Sequence, residues 1–457
     1  MNGMPGPGPA DAARVAVCVS ELKKFTGHVH LESRTREIDG RIAAAGLSLA
    51  DKISLLKALS PSAEEQEGGA ATLENAELRM ERLLLSIAPE DLPAFKFALE
   101  YDLDYKDPEE YVFHDIDDAD RQDRLVAHLR RTPSSGGIKV LSDVDDTMYA
   151  NLIERRYPKG TFYPGVLDFY DAAKEEPFGA LPAIPITTLS ARPNPVAGKL
   201  EEASLKKLVA LTKNRLCPSA LSGSIGSSTV GTVESLLRAH RARRPTEVEP
   251  GAGADDDALS DRQLHGEEDK IGDVKFANFA RFAAIYPEYR YVFVGDSGQA
   301  DALTASRMIT ETSTEGTARV VTTFIHDLRQ SERDTAAASQ AFRNLASGLV
   351  VGRDSPTGRG VIVFKNYIEA ALIAYRHAAT LQHLITAEKL ARITQAALVE
   401  FRTIALPDTE ASRELRGQYR QHAEETFTLL TAAAPTAGVA AAAKDIRQIL
   451  DSGFTGR

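Results

Sequence analysis

Two apolar runs in this chain stop abruptly at carboxylates, and that pattern limits the fold more than any other feature. Lys139-Val140-Leu141 leads into Ser142-Asp143-Val144-Asp145-Asp146-Thr147, and Tyr291-Val292-Phe293-Val294 leads into Gly295-Asp296-Ser297-Gly298-Gln299-Ala300-Asp301. Two further short runs, Ala183 to Leu189 and Val320 to Ile325, have the same character, with helical stretches or insertions between most of the four. Strands alternating with helices form βαβ units, so residues 136–330 read as an α/β domain built on a doubly wound, mostly parallel sheet. Ligands of such sheets bind beyond the carboxyl ends of the strands. The acidic strand ends are therefore where chemistry is expected.

The flanks read as helical. Residues 1–10 form a Pro/Gly-rich tail, and from Asp11 to residue 131 the periodicity is that of helices, with Leu73, Ala76, Met80, Leu83 and Ile87 drawing one apolar stripe. Ser48 followed by Asp51 has the spacing of a capping box. A loop, Arg131 to Gly137, separates this region from the α/β domain. Beyond it, 340–457 reads as a C-terminal helical region: Phe364, Ile368, Leu372, Tyr375 and Ala379 keep helix spacing within Val361 to Phe401, and the Ala-rich Thr431 to Leu450 reads as a loosely attached helix. Between them the insertion at about 240–269, with Arg241, Arg243, Arg244, Pro250 and Asp255-Asp256-Asp257, has the composition of a disordered surface loop.

Composition excludes several classes. With 54 basic and 65 acidic residues the formal charge is −11, which argues against a dedicated nucleic-acid binder. Two cysteines, Cys18 and Cys217, supply neither a disulfide framework nor a zinc site, and they suit a reducing compartment. No run approaches the ~20 apolar residues of a membrane span, and Met1 to Gly6 lacks the regions of a signal peptide. The expectation is a cytoplasmic protein, at most peripheral to a membrane.

Three carboxylates at the end of a buried strand are costly unless positive charge offsets them. A divalent cation is the simplest partner, and hard carboxylate oxygens suit Mg²⁺. Asp143 and Asp145, two residues apart with different neighbours, can divide the work of nucleophile and proton carrier. Asp296, at the second strand end, is a further metal ligand. Thr187-Thr188-Leu189-Ser190 is a strand ending in hydroxyls, and Lys275 lies on a helical stretch before Tyr286-Pro287. A hydroxyl and an ammonium are what a phosphoryl group needs from a protein.

The order DxDxT, strand–Ser, Lys, strand–GDSGxxD resembles the haloacid dehalogenase (HAD) phosphatase superfamily. Within it, Ser142 to Thr147, the spacing of Lys275 to Pro287 and Tyr289 to Asp301 resemble the catalytic domain of the actin-patch-associated phosphatidate phosphatases, over roughly 136–330. The resemblance implies that Asp143 attacks phosphorus and forms an aspartyl-phosphate, and that Asp145 protonates the leaving alcohol and then activates water. It further implies that Thr147 orders that loop and belongs with Ser190 and Lys275 to the phosphate-binding set, and that Asp296 completes a Mg²⁺ shell with Asp143 and the Asp145 carbonyl. Asp301 is implied as a supporting acid. The implied reaction is hydrolysis of phosphatidate to diacylglycerol, with a soluble phosphometabolite or phosphoprotein, or an inactive scaffold, as alternatives. Three stretches depart from the family: Ala191-Arg192-Pro193-Asn194 replaces Asn-Ser-Pro-Trp, Asp301-Ala302-Leu303 replaces Asp-Pro-Glu, and Leu216 to Val230 lacks a Pro-x-Gly-Pro turn. These lie around substrate, so they bear on lipid specificity more than on phosphatase chemistry. Access to a phospholipid would need a local device, for which Leu221, Ile225, Val230 and Val233 followed by Arg238, Arg241, Arg243 and Arg244 are the candidate.

Some features imitate sites. His114-Asp115-Ile116-Asp117-Asp118-Ala119 repeats the acidic spacing without the threonine, behind Tyr111-Val112-Phe113 as a lead-in strand, and reads as a solvated acidic turn. His326-Asp327 reads as a strand-end pair rather than a metal doublet, and His28 and His30 as surface residues. Gly223 to Gly226 lacks the lysine of a P-loop, and there is no GxSxG.

Overall fold

The computed structural model describes residues 9–23, 31–60, 70–100, 107–113, 115–133, 137–151, 153–174, 184–190, 206–222, 261–297, 300–310, 319–328, 360–379, 381, 383–432 and 435–452; of these, the side chains at 190, 217–222 and 261–270 are among those that lie outside the description. The chain divides into two compact units: residues 1–135 with Arg281–Glu288, and residues 136–280 with Tyr289–Arg457.

The first unit is helical, with helices Pro9–Lys23, Leu31–Ala44, Leu49–Leu59, Ala70–Leu85, Leu92–Glu100, Pro108–Phe113 and Ala119–Leu129. Ser48 and Asp51 form the reciprocal capping box that their spacing predicts, satisfying two backbone donors at the start of Leu49–Leu59. Ala76, Met80 and Leu83 face inward. Residues 281–288 belong here because Lys96, 1% exposed, donates to the Ile285 carbonyl at 2.6 Å and to both Glu288 carboxylate oxygens at 3.1 Å. Tyr111-Val112-Phe113 is helix rather than the expected strand, and Asp115 is buried against the Ser60 hydroxyl at 2.7 Å rather than solvated. Asp118 caps the helix Ala119–Leu129. Asp115 and Asp118 therefore have structural parts, while Asp117 and Asp118 are exposed as expected of a solvated turn.

The second unit carries the sheet. Six strands, β1 (Ile138–Ser142), β2 (Ile184–Ser190), β3 (Leu216–Ser222), β4 (Arg290–Asp296), β5 (Val320–His326) and β6 (Val361–Phe364), lie in the order β3-β2-β1-β4-β5-β6. Every neighbouring pair is parallel. The order reverses direction at β1, so the C-terminal ends of β1 and β4 flank the switch point where such sheets bind ligands. All of β1 and β5 is buried, as expected of parallel strands covered on both faces.

Two strands differ from the sequence expectation. β3 contains Pro218, which breaks the pattern of a central strand, and it sits where proline is tolerated, at the sheet edge, paired only with β2. β6 occupies the first four residues of what reads as one long helix. The run Val361-Ile362-Val363-Phe364 is β-branched and aromatic, and Asn366 then caps the helix Tyr367–Arg376 by accepting from the Glu369 N–H. The helix Asp261–Ile285 likewise begins inside the segment expected to be disordered.

The C-terminal helices Ala387–Phe401, Glu410–Ala432 and Ala437–Asp451 share one apolar core with the sheet and with the helices Val166–Ala173 and Tyr367–Arg376. The last helix is not loosely attached: Val439, Ala443, Ile446 and Leu450 are buried at helix spacing, and Thr436 caps it. Among the described residues, no helix is long and apolar enough to cross a membrane. Because Ile446 is fully buried, Ile446→Ala is expected to cost about 2–5 kcal/mol in urea unfolding. A loss below ~0.5 kcal/mol, as for a surface substitution, would mean that this helix is not part of the core.

Candidate active site

Parallel pairing brings the two acidic strand ends together. β1 and β4 are in register through Ser142 and Val294, and the Asp143 N–H continues the ladder by donating to the Val294 carbonyl at 2.9 Å. Asp143 and Asp296 thus leave the sheet at its C-terminal edge. The helix Asp301–Thr310 begins with Asp301, where the helix dipole favours negative charge. Lys275, on Asp261–Ile285, completes the group: its Nζ lies 2.8 Å from Asp143 Oδ1 and 2.5 Å from Asp301 Oδ1. Asp301 Oδ2 accepts the Asp296 backbone N–H at 3.1 Å.

All four residues are buried, Asp296 and Asp301 completely. Among the described residues, three carboxylates gather around the Lys275 ammonium in a desolvated place. Burial raises the Asp143 carboxyl above the ordinary carboxylate range; Lys275 opposes this, while Asp301 and Asp145 add to it. Burial also draws the Lys275 ammonium down, but Asp143 and Asp301 outweigh it and hold it above its usual value. Ligand oxygens of Asp143, Asp296 and Asp301 lie within 4.8 Å of one another. Both Asp301 oxygens are already engaged, by Lys275 and by the Asp296 N–H. Asp143 differs: Oδ1 meets Lys275, while Oδ2 is buried with no hydrogen-bond partner among the described residues. A hard-oxygen donor set with an orphaned carboxylate oxygen is one that could hold a metal ion.

Gly295 permits this packing. It lies within β4, and a Cβ there would stand 2.6 Å from both Cβ and Oδ2 of Asp301. The missing side chain is the room that Asp301 occupies.

The loop after β1 is fixed from within. Asp146 adopts φ 59°, a left-handed conformation that Asp and Asn tolerate better than most residues. Its carboxylate accepts from the backbone N–H groups of Asn151 at 2.8 Å, Ile153 at 2.7 Å and Glu154 at 3.3 Å. The third acid of the cluster is therefore the anchor of its own loop. Asp145 is half-buried, and its Oδ1 accepts from the Asn151 side-chain amide at 2.8 Å. Thr147 is fully buried, with its hydroxyl unpartnered among the described residues.

Behind the loop, Ser142 donates to the Asp143 carbonyl at 2.6 Å and meets the Tyr170 hydroxyl at 2.7 Å. Tyr170 approaches the Tyr367 hydroxyl at 3.4 Å, and Tyr367 donates to the Thr147 carbonyl at 2.7 Å. His326, the last residue of β5, sets Nδ1 3.1 Å from the Asp146 carbonyl and Nε2 3.3 Å from the Lys365 carbonyl. Burial, helped by Arg156, pushes its pKa down. Asn151, Tyr170 and Tyr367 carry no signal in the sequence, because their partners are set by tertiary packing.

Ser190 ends β2, and the placement of its hydroxyl lies outside the described residues. So do His28, His30, His114, the stretches 191–205 and 223–260, and with them the four arginines of the docking device. Comparison with family models, with curated proteins and with solved structures finds no match. Gly295→Ala is expected to destabilise the protein by about 1–3 kcal/mol through overpacking against Asp301. An unchanged urea midpoint would show that the start of the Asp301 helix moves aside without cost.

Proposed function

We propose that this chain is a Mg²⁺-dependent phosphomonoesterase of the haloacid dehalogenase type, acting through an aspartyl-phosphate, with phosphatidate as its substrate. The observation that carries the reading is the Asp143 carboxylate, with Oδ1 against Lys275 and Oδ2 buried without a hydrogen-bond partner among the described residues. A carboxylate held on one oxygen and open on the other is arranged to attack. The choice of phosphatidate rests on the sequence resemblance; a soluble phosphomonoester is served by the same chemistry.

Asp143 and Asp296, with the Asp145 carbonyl, would hold the cation. When bound, it neutralises the carboxylates and withdraws charge from the phosphoryl oxygens. Lys275 orients Asp143 and adds a second positive charge facing the phosphoryl group, with Asp301 holding the ammonium in place. Asp143 oxygen bonds to phosphorus as the phosphorus–alkoxide bond breaks, and the proton on Asp145 passes to the departing oxygen, releasing the alcohol. The Asp145 carboxylate then takes a proton from water. That water oxygen bonds to phosphorus, the aspartyl–phosphorus bond breaks, and inorganic phosphate leaves. Ser190, at the end of β2, is the proposed hydroxyl donor to the phosphoryl oxygens.

The direct experiment measures phosphate release from a short-chain phosphatidate and from glycerol phosphate, with Mg²⁺ and with chelator. Release from the lipid alone supports the full reading, and release from the soluble ester alone replaces the substrate. No release from either returns the chain to a non-catalytic role. Asp143→Asn keeps the shape and removes the attacking charge, so turnover should fall by at least about 10³-fold. Near-normal turnover would remove the aspartyl-phosphate. Mg²⁺ should raise the thermal midpoint of the wild-type protein by mass action, and much less so that of Asp296→Ala. An equal rise in both proteins would place the cation elsewhere.

A further inference from the structure

The loop after β1 continues into a hairpin. Asp145 bridges to Tyr149, Tyr149 pairs with Phe162, and the Ala150 and Tyr163 N–H groups donate to the Thr161 and Met148 carbonyls. Asn151 lies on the first arm of this hairpin and makes two contacts back to the acidic loop. Its backbone N–H donates to Asp146 Oδ1 and its side-chain Nδ2 to Asp145 Oδ1, each at 2.8 Å. The first bond fixes where Asn151 stands. The second reaches the carboxylate that, on the phosphatase reading, carries the proton.

We propose that Asn151 is the positioning residue for Asp145, holding its carboxyl plane so that the other oxygen faces the departing and attacking oxygens. This rests on the phosphomonoesterase reading above. The χ2 torsion of an aspartate is soft and nearly two-fold, so a half-buried carboxylate without a fixed partner samples many orientations. One donor on Oδ1 removes that freedom and leaves Oδ2 for the proton. The chemistry of the donor matters as much as its place. Asp145 must give a proton in the first half-reaction and take one back in the second, so its holder has to tolerate both forms. An amide N–H does, because Oδ1 accepts a hydrogen bond whether Oδ2 is protonated or not.

The test compares leaving groups. Asn151→Ala removes the side-chain donor and retains the backbone N–H that anchors the hairpin to Asp146. With glycerol phosphate, whose alkoxide needs a proton to leave, kcat should fall about 10–100-fold, within the range of general-acid contributions. With p-nitrophenyl phosphate, whose leaving group needs little protonation, kcat should fall less than about threefold. KM and the Mg²⁺-induced rise in thermal midpoint should match the wild type. Asn151→Asp, of the same shape but lacking the amide donor, should lose at least as much on glycerol phosphate. It serves as the second variant if the alanine protein proves unstable. Equal losses on both substrates, no loss on either, or a vanished Mg²⁺ shift would each overturn the positioning role. Wild-type and Asp143→Asn proteins run alongside keep the two failures apart. If the wild type releases no phosphate, the phosphatase reading falls and takes this inference with it. If the wild type is active and Asp143→Asn is not, a flat result for Asn151→Ala refutes the inference alone.

Discussion

One ammonium among three buried carboxylates governs the arrangement of the sheet's C-terminal edge. Lys275 reaches across from its own helix to join Asp143, at the end of β1, to Asp301, at the start of another helix. Asp301 in turn reaches the backbone of Asp296 at the end of β4. A strand end, a second strand end and two helices are thereby tied through one positive charge. Breaking such a group by removing one member is costly. Gly295 belongs to the same arrangement, since its missing Cβ is what lets Asp301 come so close.

The loop between the acids is held by hydrogen bonds that have nothing to do with charge balance. Asp146 turns inward and gathers three backbone N–H groups, while Ser142, Tyr367 and His326 meet carbonyls of the same loop from behind and the Tyr170 hydroxyl stands between those of Ser142 and Tyr367. Reactive side chains are precise only when their supports are themselves locked by packing and hydrogen bonds. Here the supports come from β1, β5 and the helices Val166–Ala173 and Tyr367–Arg376.

Much of this was legible in the residues, and what was not has a physical reason. The four strand cores announced themselves by short apolar runs, and the two that ended in acids marked the place where Asp143, Asp296, Asp301 and Lys275 meet. Local chemistry was also readable at Ser48 and Asp51, whose capping box depends on neighbours in sequence alone. β3 hid behind Pro218, and β6 behind an accidental continuity of helix spacing across Asn366. Asp146 stood in plain view but was read as one more acid, because its role depends on a backbone angle that sequence does not print. Asn151 and Tyr367 were invisible, since only the folded chain sets them against Asp145 and Thr147.

The bond between Tyr367 and the Thr147 carbonyl joins residues 220 positions apart. A ribosome makes the acidic loop long before it makes the tyrosine that holds it, and domains tend to fold as units while synthesis proceeds. The first unit has a shorter wait of the same kind, because Lys96 finds Glu288 only 192 residues later. The first unit therefore stays unfinished until β1, β2 and β3 have been translated, and the second until the whole sheet has been. Residues 281–288 close the first, and Tyr367 with the helices after it closes the second. A nascent chain halted before Tyr367 would carry Asp143, Lys275, Asp296 and Asp301, yet its acidic loop would lack the hydrogen bond to the Thr147 carbonyl. Assembly of this site is thus timed by translation, with the loop's last support among the later parts of the chain to leave the ribosome.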